Sequence, residues 1–225
     1  MMLWDGSCDS SRLTYWALDE SPYTRDADNI YGSPAFDETR FQRLTKFTDM
    51  PPDTFETARL LLRPVAIKDV DAIFDGYAQD EEVVRYLIWR PHRSLSETQA
   101  YVERCIATPS EVERTYMVLG RDDNMVRGAF ALRQRAPHRL DCGYVLARPW
   151  WRQGLMTEVL SEVSCWALRQ PAVFRIGAVC DVENIGSARV LEKSGFVREG
   201  LLRRWLLHPN ISEEPRDCYS YARVR

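Results

Sequence analysis

The stretch from Arg148 to Glu158 constrains the fold most, because two different hydrophobic periods meet at its ends. Before it, Leu140, Cys142 and Tyr144 alternate with smaller or more polar residues, a period of two that predicts a half-buried strand. After it, apolar residues recur at helical spacing, and we expect a helix that begins near Thr157, a residue type suited to capping. The sequence therefore predicts a strand, a short turn and a helix, in that order.

The predicted turn is suited to an anion. The first backbone N–H groups of a helix have no partner inside the helix and carry the positive end of its dipole. Such a turn is a ready phosphate site, although a plain strand-to-helix connection explains the same residues. The string lacks the lysine and hydroxyl residue of a nucleotide-triphosphate loop, and Gly154 is one glycine where the dinucleotide fingerprint needs three.

A second string, from Asn184 to Phe196, favours a phosphate ligand. It reads NIGSARVLEKSGF, and the loop before it reads RPWWRQGLMTE. Together the two strings resemble the GCN5-related N-acetyltransferase (GNAT) superfamily, and within it the ribosomal-protein N-terminal acetyltransferases of the RimJ/RimL type. The resemblance covers residues 55 to 225. It departs from the family at three loop positions, where Trp151 replaces an arginine or glutamine, Arg152 a glycine, and Met156 a small residue.

This resemblance implies an α+β fold, with a mixed, mostly antiparallel central sheet flanked by helices and an additional N-terminal segment. It also implies acetyl-CoA as cosubstrate. The strand before the loop would hold the pantetheine arm and the oxyanion, the loop amides would hold the diphosphate, and the second string would contact the cofactor. These cofactor-binding candidates are Val145, Leu146, Ala147, Trp151, Arg152, Gln153, Gly154, Leu155, Met156, Thr157, Asn184 and Ser187.

Two side chains are candidates for catalysis. Asp141 stands where related acetyltransferases often carry a glutamate, so it would accept a proton from the amine; a solvent-facing strand residue is the alternative. Many relatives protonate the sulfur with a tyrosine seven residues after the asparagine, but that position is Leu191. Ser187 is therefore the second candidate, as a donor to the leaving thiolate, or else only a helix-start residue. Further alternatives for the base are Glu103, Glu111 and Glu113.

The predicted reaction is transfer of an acetyl group to a primary amine, on a protein N-terminus or a small molecule, by direct attack in a ternary complex. A thioester is already activated, so we expect no metal, and the six cysteines show no paired metal-ligand spacing. The alternative is a catalytically weak relative that binds CoA as a sensor or interaction module, because the tyrosine and part of the loop pattern are absent.

Composition fits a cytoplasmic enzyme. With 225 residues, of which 45% are hydrophobic and 28% charged, the chain can bury one sizeable core. No apolar run is long enough to span a bilayer, and residues 1–20 lack a signal-peptide core. A net charge of −3 without a basic block argues against a nucleic-acid surface. We therefore expect an amine acceptor as partner, and neither nucleic acid nor membrane.

Residues 1–53 form an acidic segment that the family resemblance does not explain. The segment carries a net charge of −5 while the remainder carries +2, and its eight aromatic residues are of a kind that disordered segments avoid. We expect it to dock on the acetyltransferase domain, residues 54–225, or on a partner subunit in a homodimer. Docking over the acceptor cleft would favour a cationic amine there, and packing on the back of the sheet is the alternative.

Local patterns predict the order of the remaining elements. A first strand at 59–63 ends at Pro64, a helix spans the region from Val70 to Tyr77, and a capping box at 96–99 begins a second helix. Strands follow at 115–120, 126–134 and 140–147, then a parallel strand at 173–180 after the crossover helix. A helix from 184 to 194 with Gly195 at its left-handed end precedes strands at 197–207 and 218–224.

Overall fold

An eight-stranded sheet is the centre of the computed structural model, which describes residues 51–225. Its strands are β1 (Phe55–Glu56), β2 (Leu60–Pro64), β3 (Glu113–Gly120), β4 (Val126–Ala136), β5 (Arg139–Leu146), β6 (Arg175–Asp181), β7 (Val197–Leu206) and β8 (Arg216–Val224). They lie in the order β1-β2-β3-β4-β5-β6-β8-β7. Only β5 and β6 run parallel, so the predicted mixed and mostly antiparallel sheet is confirmed.

Helices cover both faces of this sheet. A 3-10 turn (Ile67–Asp69) leads into α1 (Val70–Ile73), which continues as a π-helical turn (Phe74–Ala78). The other helices are α2 (Glu81–Val84), α3 (Leu95–Ala107), α4 (Leu155–Arg169) and α5 (Ile185–Lys193). One apolar cluster lies between the sheet and α4 with α5, and a second lies between the sheet and α1 to α3.

Strand alternation divides the core in this way. On β3, Tyr116 and Val118 belong to the cluster under α4, whereas Met117 and Leu119 belong to the cluster under α1 to α3. All four side chains are almost fully buried. A central strand covered on both faces therefore reads as a continuous apolar run in the sequence.

Two helix starts differ from the predicted positions. Ser94, not Ser96, caps α3: its Oγ accepts the Glu97 N–H at 3.4 Å, and the Glu97 carboxylate accepts the Arg93 N–H at 2.9 Å. The predicted start near Thr157 is also wrong, because α4 begins at Leu155. Its N-cap has no side-chain oxygen but a left-handed glycine backbone, so the search for a capping side chain placed the start too late.

Residues 51–53 are tied to the sheet. Arg114 donates to the Pro51 carbonyl oxygen at 2.8 Å and pairs with the Asp53 carboxylate at 2.8 Å. Tyr116 donates its hydroxyl to the Pro52 carbonyl oxygen at 2.7 Å. The remainder of the acidic N-terminal segment lies outside the described residues, and its predicted docking stays a prediction. Within residues 51–225, no helix is long and apolar enough to cross a membrane, and no cluster of residues suited to a metal ion is found.

Candidate active site

A gap between β5 and β6 is the first feature of the site. The two strands pair only where residues 139–141 lie opposite residues 175–177. Beyond these pairs they separate, and within residues 51–225 the edge of β5 that faces β6 has no strand partner. An unpaired strand edge presents backbone N–H and C=O groups, so an extended ligand can bind there as an added strand would.

Leu146 turns its backbone toward this gap. The next residue, Ala147, donates its N–H to the Arg127 carbonyl oxygen of β4 at 2.8 Å. Successive residues of a strand direct their backbone groups to opposite edges, so the Leu146 N–H faces the gap, and those of Val145 and Ala147 face β4. Of the three predicted strand residues, Leu146 is the one whose backbone donor lies on the ligand side.

The loop after β5 leaves the start of α4 without a side-chain cap. A 3-10 turn (Arg148–Trp150) is followed by two residues with left-handed backbone, Arg152 with φ 61° and Gly154 with φ 74°. Gly154 is the N-cap, and its carbonyl oxygen accepts the Glu158 N–H at 3.1 Å. The first amides of α4 therefore have no side-chain cap, which is the arrangement in which helix starts bind anions. A left-handed backbone at Arg152 also explains why related loops use glycine at that position.

Four contacts hold this loop in place. They are Trp151 Nε1 to the Leu146 carbonyl oxygen (2.6 Å), the Arg127 guanidinium over the Trp150 ring (3.3 Å), Arg148 to Asp80 (2.9 Å) and Arg59 Nη1 to the Gln153 carbonyl oxygen (3.0 Å). Leu155 and Met156 bury their side chains in the core beneath. The start of α4 is thus fixed relative to the gap, as a preorganised binding site would require.

The start of α5 borders the gap from the β6 side. Asn184 is the N-cap of α5, and its Oδ1 accepts the Ser187 N–H at 3.0 Å. The Ser187 hydroxyl lies 2.8 Å from the hydroxyl of Tyr144 on β5. At the other end of this helix, the Ser194 hydroxyl lies 2.8 Å from the Val190 carbonyl oxygen and 3.3 Å from the Thr157 carbonyl oxygen of α4. The second sequence motif is thereby connected to both the strand and the loop of the first.

Asp141 lies at the last register pair before the gap, opposite Gly177. One carboxylate oxygen accepts Arg133 Nε at 2.6 Å, and the other accepts Arg135 Nε at 2.5 Å. About a quarter of its side chain is exposed. Both carboxylate oxygens are therefore engaged in ion pairs, and each keeps one further lone pair for another donor.

The segment that follows α2 is hydrogen bonded to the loop between β7 and β8 and to the turn before α5. The Asn210 carboxamide, between β7 and β8, donates to the carbonyl oxygens of Val84 and Trp89 at 2.7 and 2.8 Å. Tyr86 donates its hydroxyl to the Glu183 carbonyl oxygen at 3.3 Å, next to Asn184. The segment after α2 is therefore held against the turn that carries the second motif.

A buried ion pair supports the same turn. Asp181, at the end of β6, accepts Arg216 Nε at 2.6 Å and lies 3.8 Å from His208 Nε2. Burial is the largest influence on this carboxyl and opposes ionisation, but the Arg216 hydrogen bonds and the Glu183 backbone N–H outweigh it and lower the pKa of Asp181. Burial lowers the pKa of His208, which favours the neutral ring.

Sequence reasoning missed Tyr144, Arg59 and Asn210. Tyr144 could be assigned to a strand face, but its partner Ser187 is 43 residues away, on the far side of the α4 crossover. Arg59 and Asn210 act through backbone carbonyl groups, which leave no pattern in the side-chain sequence. Their positions become informative only once the sheet order is known.

Comparison with known proteins agrees with this geometry. The family model described as "Acetyltransferase (GNAT) domain" matches residues 59–197. The chain is 31% identical to the Bacillus subtilis protein named uncharacterized N-acetyltransferase YoaA, over 76% of this chain and 97% of that protein. It is 25% identical to the Escherichia coli [ribosomal protein uS5]-alanine N-acetyltransferase, over 71% of this chain and 86% of that enzyme.

Solved structures show the same fold. An acetyltransferase (GNAT family) from Bacillus anthracis superposes with a TM-score of 0.67 at 25% identity, over 76% of this chain and 98% of that chain. The RimL acetyltransferase of ribosomal protein L7/L12, solved with coenzyme A, superposes with a TM-score of 0.66 at 22% identity, over 76% and 97%. The family match spans more than half of the sequence, and the chain belongs to the GNAT family of acetyltransferases, which makes it an acyltransferase.

Proposed function

We propose that this protein transfers the acetyl group of acetyl-CoA to a primary amine, on a protein N-terminus or a small molecule. The observation that carries the proposal is the uncapped start of α4, which lies beside the gap between β5 and β6. The amides of this helix start suit a diphosphate, and the unpaired strand edge suits the amide-containing pantetheine arm. One ligand that has both groups is CoA.

The names of similar proteins support the same ligand and acceptor class. One relative is named for acetylation of an alanine of ribosomal protein uS5. The RimL structure contains CoA, and the self-immunity acetyltransferase MccE, which superposes with a TM-score of 0.69 at 17% identity, was solved with acetyl-CoA and AMP. We extend acetyl-CoA to this chain as its cosubstrate, and leave the acceptor as an amine of unspecified structure.

In the proposed reaction the amine attacks the thioester carbonyl carbon directly. The Leu146 N–H, which faces the gap, donates to the oxyanion, because a strand amide is fixed in position before the reaction. An amine has a pKa of about 10, so a base or a water chain must remove its proton at neutral pH. Asp141 stays our candidate for this base, and Ser187 our candidate donor to the leaving sulfur.

Substitution of Gly154 by valine tests the cofactor site. Valine rarely adopts the left-handed backbone of this N-cap, where φ is 74°, so the first turn of α4 must shift and the diphosphate lose its amides. We expect the affinity for acetyl-CoA, measured by calorimetry, to fall at least tenfold. The loss of one hydrogen bond to the charged diphosphate costs about 1.5 kcal/mol or more, and about 1.4 kcal/mol of binding free energy is a factor of ten.

Gly200→Val is the matched control. Gly200 lies on β7, has no positive φ, and a side chain there meets nothing within 4 Å. This variant should bind acetyl-CoA like the wild type. If Gly154→Val folds and keeps wild-type affinity, the loop does not bind the diphosphate.

A CoA-binding sensor is the second candidate function. Two observations favour it: the position of the family tyrosine is Leu191, a fully buried core residue, and both Asp141 oxygens are held in ion pairs. Product formation distinguishes the two functions. A protein that binds acetyl-CoA, yet acetylates nothing in a panel of amines, N-terminal peptides and aminoglycosides, would be a sensor.

A further inference from the structure

The hydroxyl groups of Tyr144 and Ser187 meet beside the gap between β5 and β6. Tyr144 Oη lies 2.8 Å from Ser187 Oγ and 3.4 Å from the Ser187 carbonyl oxygen. Tyr144 follows the last register pair of these strands by three residues, and Ser187 is in the first turn of α5. The pair therefore borders the point at which the two strands separate.

Either hydroxyl can be the donor in this hydrogen bond, and Tyr144 has a proton to donate. Burial is the largest influence on its phenol and raises the pKa of Tyr144 far above the usual value, so the group keeps its proton at neutral pH. Of the two oxygens within reach, the Ser187 hydroxyl at 2.8 Å is a better acceptor than the carbonyl at 3.4 Å. A hydroxyl that accepts from one neighbour can direct its own proton to another.

Cys180 on β6 is a sulfur-containing neighbour of the Ser187 side chain. Burial, the largest influence, raises the pKa of Cys180 to about 11, and the Ser187 side chain acts in the opposite direction because it favours the thiolate. The neutral thiol is a weak acceptor, whereas a thiolate is charged and accepts a stronger hydrogen bond. A thiolate released into the gap would therefore compete well for this proton.

We propose that Tyr144 is a positioning residue, which turns the Ser187 hydroxyl toward the sulfur of the cosubstrate so that the leaving thiolate is stabilised. This inference rests on the acetyl transfer proposed above. As the carbon–nitrogen bond forms and the carbon–sulfur bond breaks, the electron pair of the broken bond goes to sulfur. The amine proton passes to the base or to water, and the thiolate, held by Ser187, takes a proton from solvent.

The ionisation constant of the thiol in bound, non-acetylated CoA tests this role without any acceptor. CoA labelled with ¹³C beside the sulfur is titrated by NMR, and the label ensures that the thiols of the protein do not contribute to the signal. A reducing buffer keeps the thiol of CoA from forming a disulfide. We expect Tyr144→Phe to decrease this constant about three- to tenfold, the range expected for the loss of one hydrogen bond. Ser187→Ala should produce at least the same decrease, and Tyr144→Phe added to Ser187→Ala should produce no further change.

Tyr221→Phe is the matched control, because Tyr221 is also a strand tyrosine whose hydroxyl bonds α5, through Glu192 at 3.1 Å. It should leave the constant unchanged. The proposal is overturned if the thiol of bound CoA has the same ionisation constant in wild type and in Tyr144→Phe. If Tyr144→Phe does not fold, an unchanged ionisation constant in Ser187→Ala overturns it. A wild-type protein that binds no CoA in calorimetry would overturn the proposed function as well, so the two failures are distinguishable.

Discussion

Asp141 is held between two guanidinium groups, and this arrangement decides how its role can be measured. Arg133 and Arg135 each donate to one of its oxygens. Removal of the carboxylate would therefore remove a base and also leave two cations without their partner. A fall in turnover is evidence for catalysis only if it depends on pH as the loss of a base requires.

For Asp141→Asn we expect turnover to fall by a factor of about 10² to 10⁴ at neutral pH, which is the usual contribution of a positioned base. Turnover should partly recover at high pH, where more of the amine is already neutral. Initial rates with an accepted amine between pH 7 and 10 measure both effects. Glu199→Gln, which breaks the ion pair with Arg175 on the same sheet, should leave the rate unchanged. An Asp141→Asn rate with the wild-type pH profile would assign Asp141 to structure alone.

At the level of the elements, the starts of α3 and α4 show how far a helix cap can be predicted from the sequence. In α3 two serines stand two residues apart, and their hydroxyls are hydrogen bonded to each other at 2.8 Å. Ser94 is the N-cap because its Oγ accepts the Glu97 N–H, while the Glu97 carboxylate accepts the N–H of the preceding residue, Arg93. Sequence reasoning placed this cap two residues too late, at Ser96. In α4 the backbone of Gly154 replaces the side-chain cap altogether.

Substitution of these two serines tests the assignment of the cap. Ser94→Ala should lower the free energy of unfolding by about 1 kcal/mol, the typical loss for an N-cap hydroxyl. Ser96→Ala should change it by less than half of that, because Ser96 accepts no backbone N–H among the described residues. Urea denaturation of both variants decides between them, and equal losses would contradict Ser94 as the cap.

For the whole molecule, local sequence patterns were sufficient to predict seven of the eight strands, because alternation and short apolar runs are both local properties of the chain. The exception is β1, whose two residues are too few to show a period. The parallel direction of β6 relative to β5 followed from the crossover helix. The contact between Tyr144 and Ser187 could not be predicted, since it depends on how far the two strands separate.

The buried acids and histidines predict how stability depends on pH. Hydrogen bonds to Arg63 and Arg216 outweigh the opposing effect of burial and lower the pKa values of Asp69 and Asp181 in the folded state. Their contribution is therefore present above the unfolded value of about 4 and is lost as the pH falls through the folded values. Burial lowers the pKa of His208, so the unfolded chain takes up a proton first, and stability falls below about pH 6.5.

We expect the free energy of unfolding to be nearly constant from pH 8 to 7, to fall below about pH 6.5, and to fall again below about pH 4.5. Urea denaturation at each pH measures this profile. His208→Gln should reduce the first fall, whatever its effect at pH 8, whereas His138→Gln, at an exposed position, should not. A first fall of the same size in His208→Gln would show that another group causes it.

The three register pairs between β5 and β6 have a mechanical consequence. They join a leaf of five strands to a leaf of three, and the two leaves diverge on one side of this seam like the covers of a book. The spine is short, and side-chain bonds from α5 to Tyr144 on one leaf and to Tyr221 on the other span the opening. Few backbone hydrogen bonds hold the two leaves together along this line, so a change of angle at the spine would change the width of the gap between them.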